Sequence, residues 1–165
     1  MKTLYKTKRL SFVLANESDI PYLMSLEQHP ENRKFVVQGT LEEHTMEIAN
    51  DDYIVGLVRE GYDKIGYMLC KVDLPNSSFE LRRLIIQSKG QGYGKEAIIG
   101  LIDYAIHKRS FHRFWLDVYE DNVTGINLYK SIGMKLDGIL EKSYKRDNEF
   151  VSQHIYSITN NTKEK

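Results

Sequence analysis

The sequence predicts a mixed α/β fold in which a mostly antiparallel sheet of about seven strands is flanked by helices. Three observations carry that expectation. Alternating apolar and polar residues, the period of a half-buried strand, recur along the chain. Three such stretches follow one another across turn signals near its middle, as in an antiparallel meander. Later strands are separated by stretches whose apolar residues fall on one helical face. The predicted order is one strand, two or three helices, three strands, a helix, a strand, a helix and two strands.

Residues 9–15 put Leu10, Phe12 and Leu14 on one face and make the first strand. Asn16 or Ser18 offers an N-cap and Pro21 suits a first helical turn, with Leu23, Met24 and Leu26 as a partial apolar face. Helical character is expected through 31–35 and again through 41–49, which is rich in Glu, Met and Leu. Residues 52–60 and 64–73 read as a hairpin joined at Gly61-Tyr62-Asp63, and Pro75-Asn76-Ser77 leads into 77–86. In 77–86, the fourth strand of this reading, the apolar phase shifts. Phe79 and Leu81 are odd, Leu84 and Ile86 even, with Arg82-Arg83 between, which is what a β-bulge produces. Ala97, Ile98, Leu101, Ile102 and Ala105 make a clean helical stripe. Residues 113–118 alternate again. Asn122 can cap a short helix ending at Gly133, and 135–144 and 150–159 complete the sheet.

The chain has 165 residues, which suits one domain spanning 1–165 with residues 160–165 as a frayed polar tail. With 23 Lys plus Arg against 23 Asp plus Glu, it lacks the cationic excess of a general nucleic-acid binder. No apolar run approaches the roughly 20 residues needed to cross a bilayer, so no membrane partner is expected. The N-terminal Met1-Lys2-Thr3-Leu4-Tyr5-Lys6 has no apolar segment behind it and does not read as a signal peptide. The lone Cys70 cannot form an intramolecular disulfide, which favours a reducing cytoplasm.

The chemistry concentrates in Lys89-Gly90-Gln91-Gly92-Tyr93-Gly94-Lys95, between a strand and a helix. Glycines let a ligand approach the backbone, and the first helical N–H groups lack internal partners, so the loop suits a pyrophosphate. Gly94-Lys95-Glu96 lacks the metal-binding hydroxyl of a Walker loop. Gly92-Tyr93-Gly94-Lys95-Glu96-Ala97 fits G-x-G-x-x-A, but a dinucleotide fingerprint opens its domain, whereas a meander precedes this one. His29, His44, His107, His112 and His154 show no ligand spacing, so no metal is expected. No nucleophile elbow is present, and Cys70 lies mid-strand.

Lys89-Gly90-Gln91-Gly92-Tyr93-Gly94 resembles the acetyl-CoA pyrophosphate loop of the GNAT superfamily of N-acetyltransferases, R/Q-x-x-G-x-G/A. Downstream, Asn122-Val123-Thr124-Gly125-Ile126-Asn127-Leu128-Tyr129-Lys130-Ser131-Ile132-Gly133-Met134 resembles that family's N-x-x-A-x-x-L-Y-x-x-x-G-F segment. The likeness covers residues 9–158, in order of elements as well as motifs, and is strongest to the branch with ribosomal-protein and polyamine acetyltransferases. Four positions depart from the pattern. Lys89 stands for Arg or Gln, Gly125 for Ala, Met134 for Phe, and Ser152 for an Asp often found two residues after Phe150.

The resemblance implies a splayed strand pair whose opened backbone, at Leu84 and Ile86, holds the pantetheine arm of acetyl-CoA. It implies that Lys89 and the amides of Gln91, Gly92, Tyr93, Gly94 and Lys95 hold the pyrophosphate. Asn122 would contact the CoA chain, and Tyr129 would protonate the leaving thiolate. Acetyl-CoA is then a co-substrate, and the acceptor a small-molecule or peptide amine attacked directly in a ternary complex. Protein N-termini, polyamines, amino sugars and free amino acids all stay open as acceptors, and a homodimer is one assembly open to the chain. Glu80, which shares side-chain parity with Leu84 and Ile86, is the expected general base, with Glu120 the other candidate. Glu42, Glu43 and Glu47 could attract a polyamine, whereas Lys142, Lys145 and Arg146 would repel one. Lys108, Arg109, His112 and Arg113 form a basic patch that could meet the CoA 3′-phosphate. The alternative is a non-catalytic acyl-CoA-binding regulatory module; Tyr129 favours the enzyme.

Overall fold

The computed structural model describes residues 2–160, so all but the first residue of the expected frayed tail lies outside the described residues. Eight strands form one sheet in the order β1-β2-β3-β4-β5-β6-β8-β7. They are β1 (Thr3–Lys6), β2 (Ser11–Leu14), β3 (Tyr53–Glu60), β4 (Asp63–Asp73), β5 (Ser78–Ile86), β6 (Arg113–Tyr119), β7 (Lys135–Arg146) and β8 (Glu149–Thr159). Helices α1 (Ile20–Gln28) and α2 (Leu41–Ala49) precede β3, α3 (Tyr93–Ile102) follows β5, and α4 (Val123–Ser131) follows β6. All pairings are antiparallel except β5–β6.

The expected architecture is present with one strand more. Alternation misses β1 because its apolar residues, Leu4 and Tyr5, are adjacent. A register shift between Thr3 and Tyr5 lets both pack on the same core. The stretch 31–35 forms successive turns rather than a helix, with Asn32 and Arg33 N–H both donating to the His29 carbonyl. Asn16 does cap, but it caps a 3-10 turn, Glu17–Asp19, that leads into α1.

The sheet has a core on each face. One gathers Phe12, Met68, Phe79, Leu81, Ile86, Ala97, Ile98, Leu101 and Phe114 under α3, and the other gathers Leu23, Leu26, Leu57, Tyr67, Leu69 and Ile85 under α1. The bulge lies where the phase shift places it. Leu69 faces Arg83 while Cys70 faces Leu81, so Arg82 is the extra residue. It falls in the fifth strand, since β1 adds one ahead of the expected count.

The bulge corrects one expectation. Glu80 does not share a face with Leu84 and Ile86. Phe79, Leu81, Leu84 and Ile86 all pack on the α3 side, because the extra residue inverts parity between them. By strand alternation Glu80 projects to the opposite face, that of Ile85.

Candidate active site

The two parallel strands β5 and β6 pair over only three residues each, Ser78 to Arg113, Phe79 to Phe114 and Glu80 to Trp115, and then part. The outer half of β5 stays fully paired to β4. There the Gln87 N–H donates to the Ile65 carbonyl at 2.7 Å, so odd-numbered backbone groups face β4. A Cβ on Gly66 would lie 2.0 Å from the Ile85 carbonyl oxygen, which shows how closely the strands approach there. By strand alternation, the N–H and C=O of Leu84 and Ile86 face the other way, into the gap where β6 has departed.

That gap opens into a cavity of about 470 Å³. Its walls come from the bulged part of β5 with Leu84 and Ile85, from β6 with Asp117 and Tyr119, from α4 with Asn122 and Tyr129, and from the 31–37 segment. Lys89 lines it too, with Nζ 3.4 Å from Asn32 Oδ1.

The glycine loop begins α3. Gly90 and Gly92 both sit at φ 76, a left-handed conformation that L side chains disfavour. Gly94 has no such need, and a Cβ there would meet nothing nearer than Leu128 Cδ2 at 4.0 Å. A glycine demanded by neither backbone nor packing is the cradle that close approach of a phosphate group requires, so the residues present fit one. Arg9, which sequence reasoning passed over, fastens the loop. Its guanidinium donates to the Gln91 carbonyl at 2.9 Å and to Glu96 at 2.7 Å, and lies 4.3 Å from the Tyr93 ring centroid. The Tyr93 hydroxyl donates to Glu60, so this side chain anchors the helix and leaves only its amide to the loop. Lys95 is exposed on the first turn of α3.

Asn122 caps α4, its Oδ1 accepting from Gly125 N at 3.0 Å. A Cβ on residue 125 would come within 2.9 Å of the Asn122 carboxamide, which accounts for glycine where alanine is usual. Tyr129 lines the cavity, and no described residue hydrogen-bonds its hydroxyl. Burial, with a smaller push from the Asp117 carboxylate, raises that hydroxyl to about 12, so it stays protonated at neutral pH.

Glu80 is the last paired residue before the strands part, and its carboxylate accepts from Arg82 Nε at 3.1 Å. Burial holds its pKa above the ordinary range, partly offset by Arg82. It does not line the cavity. Asp117 does, also held above the ordinary range by burial, with a hydrogen bond from Gln153 opposing. Sequence reasoning did not single out Asp117. The usable signal was its parity on β6, opposite to Phe114, Leu116 and Val118. Glu120 lies outside the cavity and accepts from Ser152 N at 3.3 Å. Ser152 Oγ in turn accepts from Lys142 N at 2.9 Å where β7 bulges, so this departure serves the hairpin backbone.

Under α1 and α2 lies a buried charge network that sequence reasoning missed. Glu27, 0% exposed, takes His44 Nε2 at 3.0 Å, Gly39 N at 3.0 Å, Arg83 Nη1 at 3.2 Å and the Tyr67 hydroxyl. His44 Nδ1 lies 2.9 Å from Glu47. Burial alone would lower the His44 pKa, but hydrogen bonds to Glu27 and Glu47 outweigh it and raise it to about 9. The carboxylates expected to draw a polyamine are therefore mostly committed. Glu47 is buried against His44, and Glu43 closes a capping box with Thr40. Two residues of the basic patch are engaged as well, Arg109 donating to the Tyr104 hydroxyl and Arg113 to Asp137.

Among the described residues no helix is long and apolar enough to cross a membrane, and no group of three or more His, Cys, Asp or Glu could hold a metal ion.

Comparison with known proteins agrees with this geometry. Residues 9–135 match the family model described as acetyltransferase (GNAT) domain. The chain is 30% identical over 95 residues to the spermine/spermidine N(1)-acetyltransferase of Bacillus subtilis (strain 168), covering 53% of this chain and 62% of that protein. The matches span less than two thirds of the length of the curated relatives. Among solved structures, a spermidine N-acetyltransferase SpeG chimera from Vibrio cholerae and hSSAT superposes with a TM-score of 0.83 at 17% identity, over 93% of this chain and 96% of that one. A Salmonella typhimurium acetyltransferase that modifies the N-terminal serine of 50S ribosomal subunit protein L7/L12 gives 0.80 at 14% identity, over 96% and 99%. At such identities the structural likeness speaks to the fold.

Proposed function

This chain belongs to the GNAT acetyltransferase domain family, and on that premise we propose that it is an acetyl-CoA-dependent N-acetyltransferase acting on a primary amine by direct attack in a ternary complex. The observation that carries the reading is the parting of β5 and β6 beyond Glu80, which turns the backbone groups of Leu84 and Ile86 away from β4 into the gap, where Leu84 lines the cavity. Unpaired backbone groups there would bind an amide-bearing arm as a missing strand would. The amides of Gln91, Gly92, Tyr93, Gly94 and Lys95, with the Lys89 ammonium, would hold the pyrophosphate. The carboxamide Nδ2 of Asn122 stays available to the arm.

Acetyl-CoA, when bound, supplies an activated acyl group as a thioester. Holding amine and thioester side by side lowers the barrier by removing the entropy of their encounter. A C–N bond forms and the C–S bond breaks. The amine loses a proton to a carboxylate, and Tyr129, protonated at neutral pH, gives its proton to the departing sulfur. Glu80 and Asp117 project from neighbouring strands on one face, and both are held above the ordinary carboxylate range by burial. In this reading Asp117 meets the amine in the cavity and Glu80 passes the proton on. A cytoplasmic site suits the single Cys70, whose thiol is fully buried.

The test is thiol release from acetyl-CoA against a panel of amines, with the product identified by mass. Release that depends on an amine, with the acetylated amine recovered, is expected. Tight acetyl-CoA binding with no release for any amine would leave a non-catalytic acyl-CoA-binding module.

A further inference from the structure

A second pocket, of about 490 Å³, opens between the 30–38 segment and the β7–β8 turn. It shares Val36, Val37 and Tyr119 with the cavity that holds Tyr129, so the two adjoin. Four cations line it, Arg33, Lys34, Lys145 and Arg146, against a single lining carboxylate, Asp147.

The four are not equivalent. Arg146 is fixed, forking onto Asp121 at 2.6 and 3.2 Å, donating to the Lys34 carbonyl at 3.1 Å, and lying 5.2 Å from the Tyr119 ring centroid. Lys34 Nζ shares the same Asp121 at 3.5 Å, so one carboxylate serves two cations, with Glu149 adding a weaker field at Arg146. Arg33 and Lys145 are exposed, stand on opposite walls, and make no ion pair among the described residues. The pocket thus holds two exposed cations with no ion-pair partner among the described residues.

We propose that this pocket binds a carboxylate of the acceptor, so that the amine acetylated here carries carboxylate groups close to it, as in an acidic amino acid or a peptide whose N-terminus is followed by acidic residues. The inference rests on the acetyl-transfer reading above and specifies its acceptor. A polyamine would bring further positive charge into a pocket already in surplus, and like charge at a recognition site acts against a partner. The two carboxylic sources differ in length, and a matched set of acceptors separates them.

The experiment measures kcat/KM with acetyl-CoA for free glutamate, a tetrapeptide Ser-Asp-Asp-Gly, its counterpart Ser-Lys-Lys-Gly, and spermidine. One of the acidic acceptors is expected to exceed both cationic ones about tenfold or more, chiefly through KM, with the advantage shrinking as salt rises. Which of the two leads identifies a free amino acid or a peptide. The double variant Arg33→Glu with Lys145→Glu should erase that advantage while leaving the KM for acetyl-CoA unchanged. Preference for spermidine or the lysine peptide, or an advantage that survives the double variant, overturns the proposal while leaving acetyl transfer standing. Should no amine be acetylated, the transfer reading fails first. Calorimetric titration of Ser-Asp-Asp-Gly into the CoA-saturated protein then decides the pocket. Binding lost in the double variant supports the carboxylate site, and no binding overturns it.

Discussion

The gap between β5 and β6 and the pocket beside the β7–β8 turn meet at Tyr119, yet they are made of different material. The first is built from backbone: the outward-facing groups of Leu84 and Ile86, the left-handed Gly90 and Gly92, and the open Gly94. The second is built from side chains, with Arg33, Lys34, Lys145 and Arg146 on opposite walls. Between them the buried Glu27 network ties α1 and α2 to Arg83, one residue past the bulge. A groove of backbone groups fixes one shared ligand, and a pocket of side chains can be re-lettered for another. The comparison therefore separates what should be common to this fold from what should be particular to this chain.

The largest effect should come from the link between the two. Removing the Glu27 carboxylate by Glu27→Ala leaves Arg83 buried without its anion and His44 with Glu47 alone, and breaking such a pair costs about 3–5 kcal/mol. Urea denaturation should show that loss as a lower midpoint. A change below about 1 kcal/mol would mean the network contributes little and the two halves are held by apolar packing alone. Next, Tyr129→Phe should lower kcat by about a hundredfold, the scale of general acid catalysis, with acetyl-CoA affinity nearly unchanged. An unaltered kcat would reassign Tyr129 to packing against Tyr156, whose ring centroid lies 6.2 Å away.

On the backbone side, acetyl-CoA at 100 times its dissociation constant should stabilise the protein by about 2.7 kcal/mol, with no comparable shift from ATP or NADH. Gly92→Asp, which strains a left-handed position and sets a carboxylate against the phosphates, should abolish that gain. ATP raising the midpoint where acetyl-CoA does not would contradict the reading of the loop.

The most gradual effect, smallest over any one pH unit, is a pH dependence. His44 binds its proton up to about 9 when folded against an ordinary 6.5, so its contribution is complete below pH 6.5 and is lost as pH rises through 9. Between those values stability should fall by up to about 1.4 kcal/mol per pH unit. His44→Gln should flatten that slope, and a variant with the wild-type slope would exclude His44 as its source.

The same division explains how much could be read from the sequence. The groove announces itself through glycines at fixed offsets, a phase shift between Leu81 and Leu84, and an Asn122-to-Tyr129 spacing, all local patterns. The side-chain pocket does not, because Arg33 and Arg146 come together only through the sheet, with Lys34 and Arg146 bonded across 112 residues. Glu27 and Glu47 look like any surface glutamate until α1 and α2 fold over Tyr67. Glu80 was placed on the wrong face for a related reason. Parity counts residues, and the bulge at Arg82 adds one.

The most direct test of the central claim is hydrogen exchange at single-residue resolution with and without acetyl-CoA. If the cofactor lies between β5 and β6 as a substitute strand, the amides of Leu84 and Ile86 should gain protection on binding. The amide of Ile85, already turned toward β4, should change little. Equal protection at all three, or none at Leu84 and Ile86 while acetyl-CoA is bound, would place the ligand elsewhere and contradict the account.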